Sequence, residues 1–456
     1  MPPDLDPLSG DGTPGKAGTA AASGVRFRVL AFLACMTFVL YLDRVCIGQA
    51  AGAIQDDLGL SNTAMGFVFG AFTLAYGLFE VPTGRLGDRF GSREVLTRIV
   101  LWWSLFTALT GAAVGFWMML AVRFLFGAGE AGALPNTARV LGRWFPESSR
   151  GKAQGVVTTA MMVGGAAAPF AAALLIRYVG WRWSFVLFGG LGVIWAVAFY
   201  RWYRDDPAEH PGVNDAERRL INEGRGEDPG LAADVPVPWR RILTSRNVWL
   251  MGGLMTCGAA VFYMLISWFP KYLQDARGVS DLLSGVLSSL VLAGGAAGCV
   301  IGGVLTDRIL RATGDLRKSR CRLGSAAFAA GGAALLLGLQ SGSVYVAALC
   351  TAVTCMCVQI QIPAWWGTIT GISGRHVGVL FGLTNSLGVV GAIASQVFLG
   401  SLADRLGALG YTGRAQWDPG MYVYAGVMQT GAALWLWVRP ERSAVEPPPE
   451  GEERGG

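Results

Sequence analysis

Four ionisable residues in the first half of the chain lie in apolar sequence, where a charge is costly. Asp43 and Arg44 are adjacent in TFVLYLDRVCIGQA, and Arg123 and Glu130 flank FLFGAG. A charged side chain in the middle of a membrane helix costs at least ~2.5 kcal/mol, so such residues are expected to face a cavity or a partner. The guanidinium fork can bind a carboxylate at two points. These residues therefore indicate a site that binds an anion and handles protons.

The spacing of the four residues assigns them different roles. Asp43 and Arg44 lie ~100° apart on a helix and cannot both point at one spot, so we assign Arg44 to the anion and Asp43 to a nearby protonatable group. Arg123 and Glu130 share a helix face at ~10.5 Å, which suits a small anion or a partner from the first span between them. We expect Asp43 and Glu130 to carry the coupled protons and Arg123 to contact the substrate. A permanent salt-bridge network, with Glu130 paired to Arg123 or Arg44, is the alternative.

Neutral polar residues inside other apolar stretches are candidates for substrate contacts. Tyr41 and Tyr76 each offer a ring and a hydroxyl, although a membrane tyrosine is often packing or an interface anchor. Gln359 and Gln361 are two residues apart, so at most one faces the cavity, and we assign Gln359 to the substrate. Asn385, in FGLTNSLG, is a further candidate for a substrate contact.

The composition places the chain among membrane proteins. Of its 456 residues, 52% are hydrophobic and 15% are charged, against roughly 25% charged in ordinary soluble proteins. The net charge is +6, but the sequence has no basic cluster interleaved with aromatic residues, so nucleic acid is excluded as a partner. The eight cysteines lack the spacing of a zinc site or a secreted disulfide framework. We expect no metal and no cofactor.

Twelve apolar stretches are long enough to span a bilayer, which takes about 20 residues. We place them at 28–51, 63–83, 95–114, 116–140, 153–177, 182–202, 247–273, 281–305, 322–340, 343–367, 376–400 and 417–438. The sequence thus predicts an all-α membrane protein with two six-helix bundles around a central cavity. The units are a disordered tail (1–26), the first bundle (27–202), a polar inter-bundle loop (203–246), the second bundle (247–439) and a second disordered tail (440–456).

Basic residues set the expected orientation. The loops after spans 2, 4 and 8 are rich in arginine, whereas the loop at 52–62 has Asp56 and Asp57 and no Lys or Arg. Because Lys and Arg favour the cytoplasmic side, we expect both termini in the cytoplasm and the protein in the inner membrane.

A repeated loop relates the two halves. GRLGDRFGSR (84–93) follows span 2, and GVLTDRILRATGDLRKSR (303–320) follows span 8. Internal repetition of two six-helix halves is typical of transporters with one site between the halves.

The loop, its copy and the six-plus-six hydropathy together resemble the major facilitator superfamily. YLDR, RFLFGAGEAGALPNTARVLGRWFPESSRGKAQG, DDPAEHPGVNDAE and SWFPKYL further resemble its anion:cation symporter branch, which includes sugar-acid and organic-anion transporters. The resemblance implies the major facilitator fold, the roles given above to Asp43, Arg44 and the acid on span 4, and a cytoplasmic latch centred on Asp88. The gate motif comprises Gly84, Arg85, Asp88, Arg89, Gly91 and Arg93, with Asp307 and Arg308 in the copy.

The function expected from these features is import of a small organic anion, a sugar acid or another carboxylate, by proton symport and alternating access. Met161 and Met162 in span 5 indicate a partly apolar site wall, which disfavours a heavily hydroxylated substrate. Sodium coupling stays open, as do an anion exchanger and an exporter. A membrane sensor with the 203–246 loop as its output is an alternative of another class. No nucleophile–base pair lies at mid-membrane, so we expect no enzyme. The bilayer and the anion are the expected partners of a chain that works as a monomer.

Overall fold

The computed structural model describes residues 21–223 and 237–445, with the backbone alone at residues 81 and 84–89. The outer parts of both predicted tails and the middle of the predicted inter-bundle loop lie outside the described residues. Regular structure in the described ranges is helical. The helices are α1 (Val25–Leu58), α2 (Asn62–Phe90), α3 (Ser92–Thr110), α4 (Phe116–Glu130), α5 (Ala133–Trp144), α6 (Glu147–Trp202), α7 (Asp215–Asn222), α8 (Trp239–Thr244), α9 (Arg246–Ser267), α10 (Phe269–Arg277), α11 (Asp281–Thr313), α12 (Leu323–Gln340), α13 (Val344–Ile372), α14 (Val377–Ala408) and α15 (Arg414–Trp437).

Nine helical stretches in the described part of the chain are long and apolar enough to cross a membrane. One of them, α6, has 56 residues and bends at Gly180, whose φ of 77° is in the left-handed region that favours glycine. It is long enough for two crossings. The remaining long helices, α3 with 19 residues and α15 with 24, are less apolar. With them the chain reaches the predicted twelve, a count that stays a prediction.

Two predicted spans are broken in the structure. The span predicted at 116–140 is formed by α4 and α5, and the one at 247–273 by α9 and α10, which meet at Trp268. Pro270 lies in the first turn of α10, where the missing proline N–H costs no helix hydrogen bond. Hydropathy alone did not reveal either break, because the apolar run continues through it.

The helices form two halves that repeat the same packing. In the first half α1 packs along α6 and α2 along α4, and in the second half α9 packs along α14 and α11 along α13. Between the halves, α2 packs on α14 and α6 on α11. These two helix pairs frame the space between the halves.

Both described chain ends lie at one face of the helix bundle, which we call the terminal face. The other, the distal face, carries the turns that join α1 to α2 and α14 to α15. There the Asp404 carboxylate at the end of α14 accepts hydrogen bonds from the backbone N–H of Asn62 (3.1 Å) and of Thr63 (2.7 Å). The Asn62 amide (2.9 Å) and the Thr63 hydroxyl (2.6 Å) also donate to it. A carboxylate at a helix start is favoured by the free N–H groups and the helix dipole, so Asp404 caps α2 from the opposite half.

Close backbone contact also joins the halves near the distal face. At Gly66 of α2, an added Cβ would lie 2.6 Å from the carbonyl oxygen of Gln396 in α14. Only glycine permits this approach, as small residues do at membrane helix interfaces. The Thr73 hydroxyl donates to the Gln396 side chain at 3.1 Å. The structure is therefore closed at the distal face.

The predicted inter-bundle loop contains the helices α7 and α8, and α7 docks on the first half. Glu217 of α7 is buried and accepts from the backbone N–H of Val25 and of Arg26, both at 3.0 Å, and from the Ser23 hydroxyl. It thus caps the start of α1. The sequence missed this contact because it joins polar segments about 190 residues apart.

The predicted C-terminal tail begins too early. The Ala444 N–H donates to the carbonyl oxygen of Ile372 at 2.8 Å, and Arg241 donates to the carbonyl of Val445 at 3.3 Å. Residues 440–445 are therefore anchored to the second half, which corrects the prediction of a disordered tail from residue 440 onward. Hydropathy could not show this anchoring, because backbone hydrogen bonds hold the segment.

Candidate functional site

Arg44 and Glu130 form an ion pair at the centre of the first half. The Nε of Arg44 donates to Oε1 of Glu130 at 2.8 Å, and Nη2 donates to the same oxygen. The guanidinium carbon lies 4.8 Å from the ring centre of Tyr41, 4.6 Å from that of Tyr76 and 5.2 Å from that of Phe72. Such faces attract a cation. The second carboxylate oxygen of Glu130 is buried without a hydrogen-bond partner among the described residues.

Small residues on α4 bring this pair together. At Gly127, three residues before Glu130, an added Cβ would meet the backbone carbonyl of Phe72 and the Ala75 side chain of α2. Because α2 and α4 pack so closely, the Tyr76 ring and the Glu130 carboxylate reach Arg44 from neighbouring helices. The small-residue stretch around Glu130 is thus the local cause of the site's geometry.

Asp43 points away from Arg44, as their adjacency on α1 requires. Its side chain is fully buried, and its nearest polar neighbours are the Trp103 indole and the Thr107 hydroxyl of α3. Neither carboxylate oxygen, nor the Trp103 N–H, has a hydrogen-bond partner among the described residues. An unpaired buried carboxylate is costly when charged. Asp43 is therefore suited to hold a proton, although it is walled off from the cavity.

Arg123 lies behind the Arg44–Glu130 pair. It is 1% exposed and stacks between the rings of Phe72 (5.3 Å) and Phe126 (4.4 Å). Its Nε and Nη1 are buried without a partner among the described residues. Arg123 interacts electrostatically with both Asp43 and Glu130, and it is not among the residues that line the cavity.

The second half contributes polar groups to the same space. Gln359 lines the cavity, whereas Gln361 is fully buried and its amide has no partner among the described residues. The Asn385 amide donates to the Glu80 carboxylate of α2 at 3.3 Å, across the interface between the halves. Tyr263 of α9 interacts electrostatically with Arg44.

Glu80 and Tyr263 were missed at the sequence level. Glu80 falls within the span predicted at 63–83 and lies within electrostatic range of Arg44. Glu80 could have been identified from the sequence, because a carboxylate inside an apolar span is costly. Tyr263 had no such signal, because one tyrosine among many in apolar helices does not indicate which side it faces.

A small cavity lies beside Tyr41, between the halves. Apolar side chains form most of the cavity lining, among them Val45, Met162, Phe262 and Leu292. Tyr41 lines the cavity and also lies against the Arg44 guanidinium, so it connects the cavity to the ion pair.

The predicted gate motif is only partly described. The side chains of Gly84, Arg85, Asp88 and Arg89 lie outside the described residues. Gly91 has a φ of 80° and joins α2 to α3, and the Arg93 Nη2 donates to the carbonyl of Tyr200 at 2.6 Å. In the copy, Asp307 and Arg308 are exposed on α11.

The Asp205 carboxylate, which the sequence did not single out, also contacts the gate motif. Asp205 accepts hydrogen bonds from the backbone N–H of Ser92 (2.8 Å) and of Arg93 (3.1 Å), and so caps the start of α3. It lies 3.9 Å from Arg143 of α5. The motif is therefore tied to the end of the sixth span by backbone contacts that its own residues do not indicate.

Comparison with known proteins places this fold and site in one family. The sequence pattern of the Major Facilitator Superfamily matches residues 33–395. The chain is 30% identical to the probable sulfoacetate transporter SauU of Cupriavidus necator over 91% of this chain and 94% of the relative. It is also 30% identical to the probable galactarate/D-glucarate transporter GudP of Bacillus subtilis, over 85% and 87% of the two chains.

A solved structure shows the same fold. The inward-facing, occupied crystal structure of a bacterial homolog of the human lysosomal transporter Spinster superposes with a TM-score of 0.75 at 19% identity, covering 91% of this chain and 97% of that chain. The predicted all-α fold and the predicted resemblance are confirmed. The relatives are transporters, so the protein is a multi-pass membrane transporter by class and not an enzyme. The chain belongs to the major facilitator superfamily.

Proposed function

We propose that the protein moves a small organic anion across the bacterial inner membrane by alternating access, coupled to protons. The observation that carries the proposal is the Arg44–Glu130 pair beside the cavity between the halves. The names of the relatives support the substrate class, because those transporters are named for organic anions. The arginine-rich loops support an orientation with the terminal face in the cytoplasm.

The pair offers a direct route from anion binding to proton coupling. A substrate carboxylate or sulfonate that binds Arg44 competes with Glu130 for the same donors, Nε and Nη2. A carboxylate that loses its cation in a buried site is disfavoured as an anion. Protonation of Glu130 would release Arg44 to the substrate, so the anion and the proton bind together.

Asp43 supplies a second proton site in this scheme. Its buried oxygens, without a hydrogen-bond partner among the described residues, favour the neutral acid, and Arg123 interacts electrostatically with both Asp43 and Glu130. Arg123 therefore acts on the two carboxylates and not on the substrate. Tyr41, Tyr76, Gln359 and Asn385 remain the proposed substrate contacts, now with Tyr263.

Exchange of two anions is the second candidate, and the ion pair also fits it. An exchanger needs Arg44 to alternate between Glu130 and successive anions without net proton movement. Direction and stoichiometry distinguish the two, and both are measurable in the same preparation.

The test is uptake of radiolabelled organic anions into proteoliposomes, with an inward proton gradient and with the gradient collapsed. Accumulation above equilibrium only with the gradient would support proton symport. Uptake that needs a counter-anion inside, and is indifferent to the gradient, would replace symport by exchange. Uptake of no anion under either condition would overturn the proposed function.

A further inference from the structure

We propose that the substrate is a monoanion with an apolar body, so that a second acid group or a run of hydroxyls weakens binding. The inference rests on the proposed function and narrows its substrate class. It is carried by two observations, the charges around Arg44 and the side chains that line the cavity.

The charge balance beside the cavity provides for one anionic group. Arg44 brings one positive charge, while Glu130 and Glu80 bring two carboxylates within its electrostatic range. Arg123 is 1% exposed and held between aromatic rings. A second anionic group on the substrate would meet Glu80 and find no free cation beside the cavity among the described residues.

Glu80 is placed to enforce this limit. Its carboxylate lies on α2, one turn beyond Tyr76, whose ring stacks on Arg44. Asn385, from the opposite half, holds it at 3.3 Å. Like charges close together cost several kcal/mol where water is scarce, and such repulsion is a common source of specificity.

The residues that line the cavity offer few hydrogen bonds. Val45, Met162, Phe262 and Leu292 line it, and Gln359 is the polar side chain among the lining residues contributed by the second half. Burying a hydroxyl without a hydrogen-bond partner is unfavourable. Tyr41 and Gln359 are the polar side chains that line the cavity, so several hydroxyls on one substrate chain would find few partners there, whereas a hydrocarbon chain gains from the same contacts.

This assignment separates the chain from the substrates for which its relatives are named. Galactarate and glucarate carry two carboxylates and four hydroxyls, and sulfoacetate carries two acid groups. The names of those relatives therefore indicate the anionic head and not the whole ligand.

Four six-carbon acids test the two features independently. Hexanoate has one charge and no hydroxyl, gluconate adds hydroxyls, adipate adds a second charge, and glucarate adds both. Hexanesulfonate tests the sulfonate head against the carboxylate. Binding to the purified full chain in detergent, followed by ligand-induced thermal stabilisation and calorimetry, avoids the bilayer permeation of hexanoic acid and does not depend on coupling.

We expect hexanoate or hexanesulfonate to bind at least ~10-fold more tightly than gluconate and than adipate, which corresponds to ~1.4 kcal/mol. Glu80→Gln should reduce the difference in affinity between hexanoate and adipate and should leave the difference between hexanoate and gluconate unchanged. Met162→Gln should reduce the difference between hexanoate and gluconate and leave that between hexanoate and adipate unchanged. Glu94→Gln, exposed on α3, is the matched control and should change neither difference in affinity.

Several results would overturn the inference. Gluconate, adipate or glucarate binding as tightly as hexanoate would do so while leaving anion transport intact, and proton-driven uptake of glucarate would then still support the proposed function. Failure of both hexanoate and hexanesulfonate to bind also overturns it. If both differences in affinity are unchanged in Glu80→Gln and in Met162→Gln, these two residues do not cause the selectivity, and the inference fails.

Discussion

Arg44 on α1 gives two of its donors to a single oxygen of Glu130 on α4, and the other oxygen of Glu130 has no hydrogen-bond partner in the described part of the chain. The pair thus satisfies the arginine only in part and leaves one carboxylate oxygen ready for a proton. A purely structural ion pair in a membrane gains most when both partners are fully bonded. The incomplete pairing favours a pair that opens during the transport cycle.

Arg44→Lys should lower anion binding at least ~10-fold although it keeps the charge. Lysine cannot offer the planar fork that binds one oxyanion through two donors, and it stacks less well on Tyr41 and Tyr76. Calorimetric titration with the tightest six-carbon probe measures the loss. Arg182→Lys, which alters an ion pair with Asp57 at the distal face, is the control. Equal binding by Arg44→Lys and wild type would remove Arg44 from the anion site.

Asp404→Asn should favour conformations that are open at the distal face. The variant weakens four hydrogen bonds to one carboxylate, and bonds to charged groups contribute about 1.5–3 kcal/mol each before compensation. A shift of ~1.4 kcal/mol changes the population ratio tenfold. Pulsed electron resonance between spin labels at Val114 and Leu409, both exposed, would show a larger fraction of long distances.

Asp57→Asn is the matched control for that experiment. Asp57 pairs with Arg182 at the same face but within the first half, so its loss should leave the distance distribution unchanged. Identical distributions for Asp404→Asn and wild type would show that the cap on α2 does not hold the halves together.

Asp43→Asn should leave the thermal unfolding temperature in detergent unchanged or raise it. The Trp103 indole and the Thr107 hydroxyl lie near the carboxylate but form no well-aligned hydrogen bond with it among the described residues, and an asparagine oxygen could accept from the same groups. A neutral amide is also cheaper to bury than a charge. The same variant should lower gradient-driven accumulation, because one coupled proton is removed. A marked fall in unfolding temperature would indicate a stabilising partner for Asp43, and unchanged accumulation would exclude it from coupling.

Glu217→Gln should destabilise the protein at neutral pH by about 1–3 kcal/mol, the range for a buried group left poorly bonded. Burial raises the pKa of Glu217, but the Ser23 hydroxyl and the N–H groups of Arg26 and Val25 outweigh it and lower the pKa overall. Because the folded-state pKa is depressed, this stabilisation is present above the unfolded pKa. It is lost as the pH falls through the folded pKa.

Thermal unfolding of Glu217→Gln and wild type at pH values from 7 to 3 measures this effect. The difference in unfolding temperature between the two proteins should be largest at neutral pH and should disappear in acid. Glu223→Gln, an exposed residue just beyond α7, should match wild type throughout. A difference that persists or grows in acid would mean that the charge of Glu217 does not cap α1.

The sequence predicted those parts of the fold that depend on hydropathy and local motif. The apolar spans, the repeat at 84–93 and 303–320, and the costly charges at Asp43, Arg44 and Glu130 are all local signals. The family assignment followed from them and is confirmed. The helix breaks near Ala131 and Trp268 were missed because hydropathy does not change there.

Contacts between distant segments could not be foreseen in the same way. The cap of Glu217 on α1 and that of Asp404 on α2 join residues far apart in sequence, and no local pattern indicates the partner. At the site, the adjacency of Asp43 and Arg44 implied opposite directions, but only the structure shows that α3 encloses the former. Glu80 could have been found by the rule that identified Glu130.

The most direct test of coupling is the comparison of Glu130→Gln with wild type in proteoliposomes, using accumulation under a proton gradient and counterflow without one. The account predicts that Glu130→Gln loses gradient-driven accumulation and keeps counterflow, since a neutral amide leaves Arg44 free to bind anion but cannot exchange a proton. Glu94→Gln should behave as wild type in both assays. Gradient-driven accumulation that survives in Glu130→Gln would contradict the central claim.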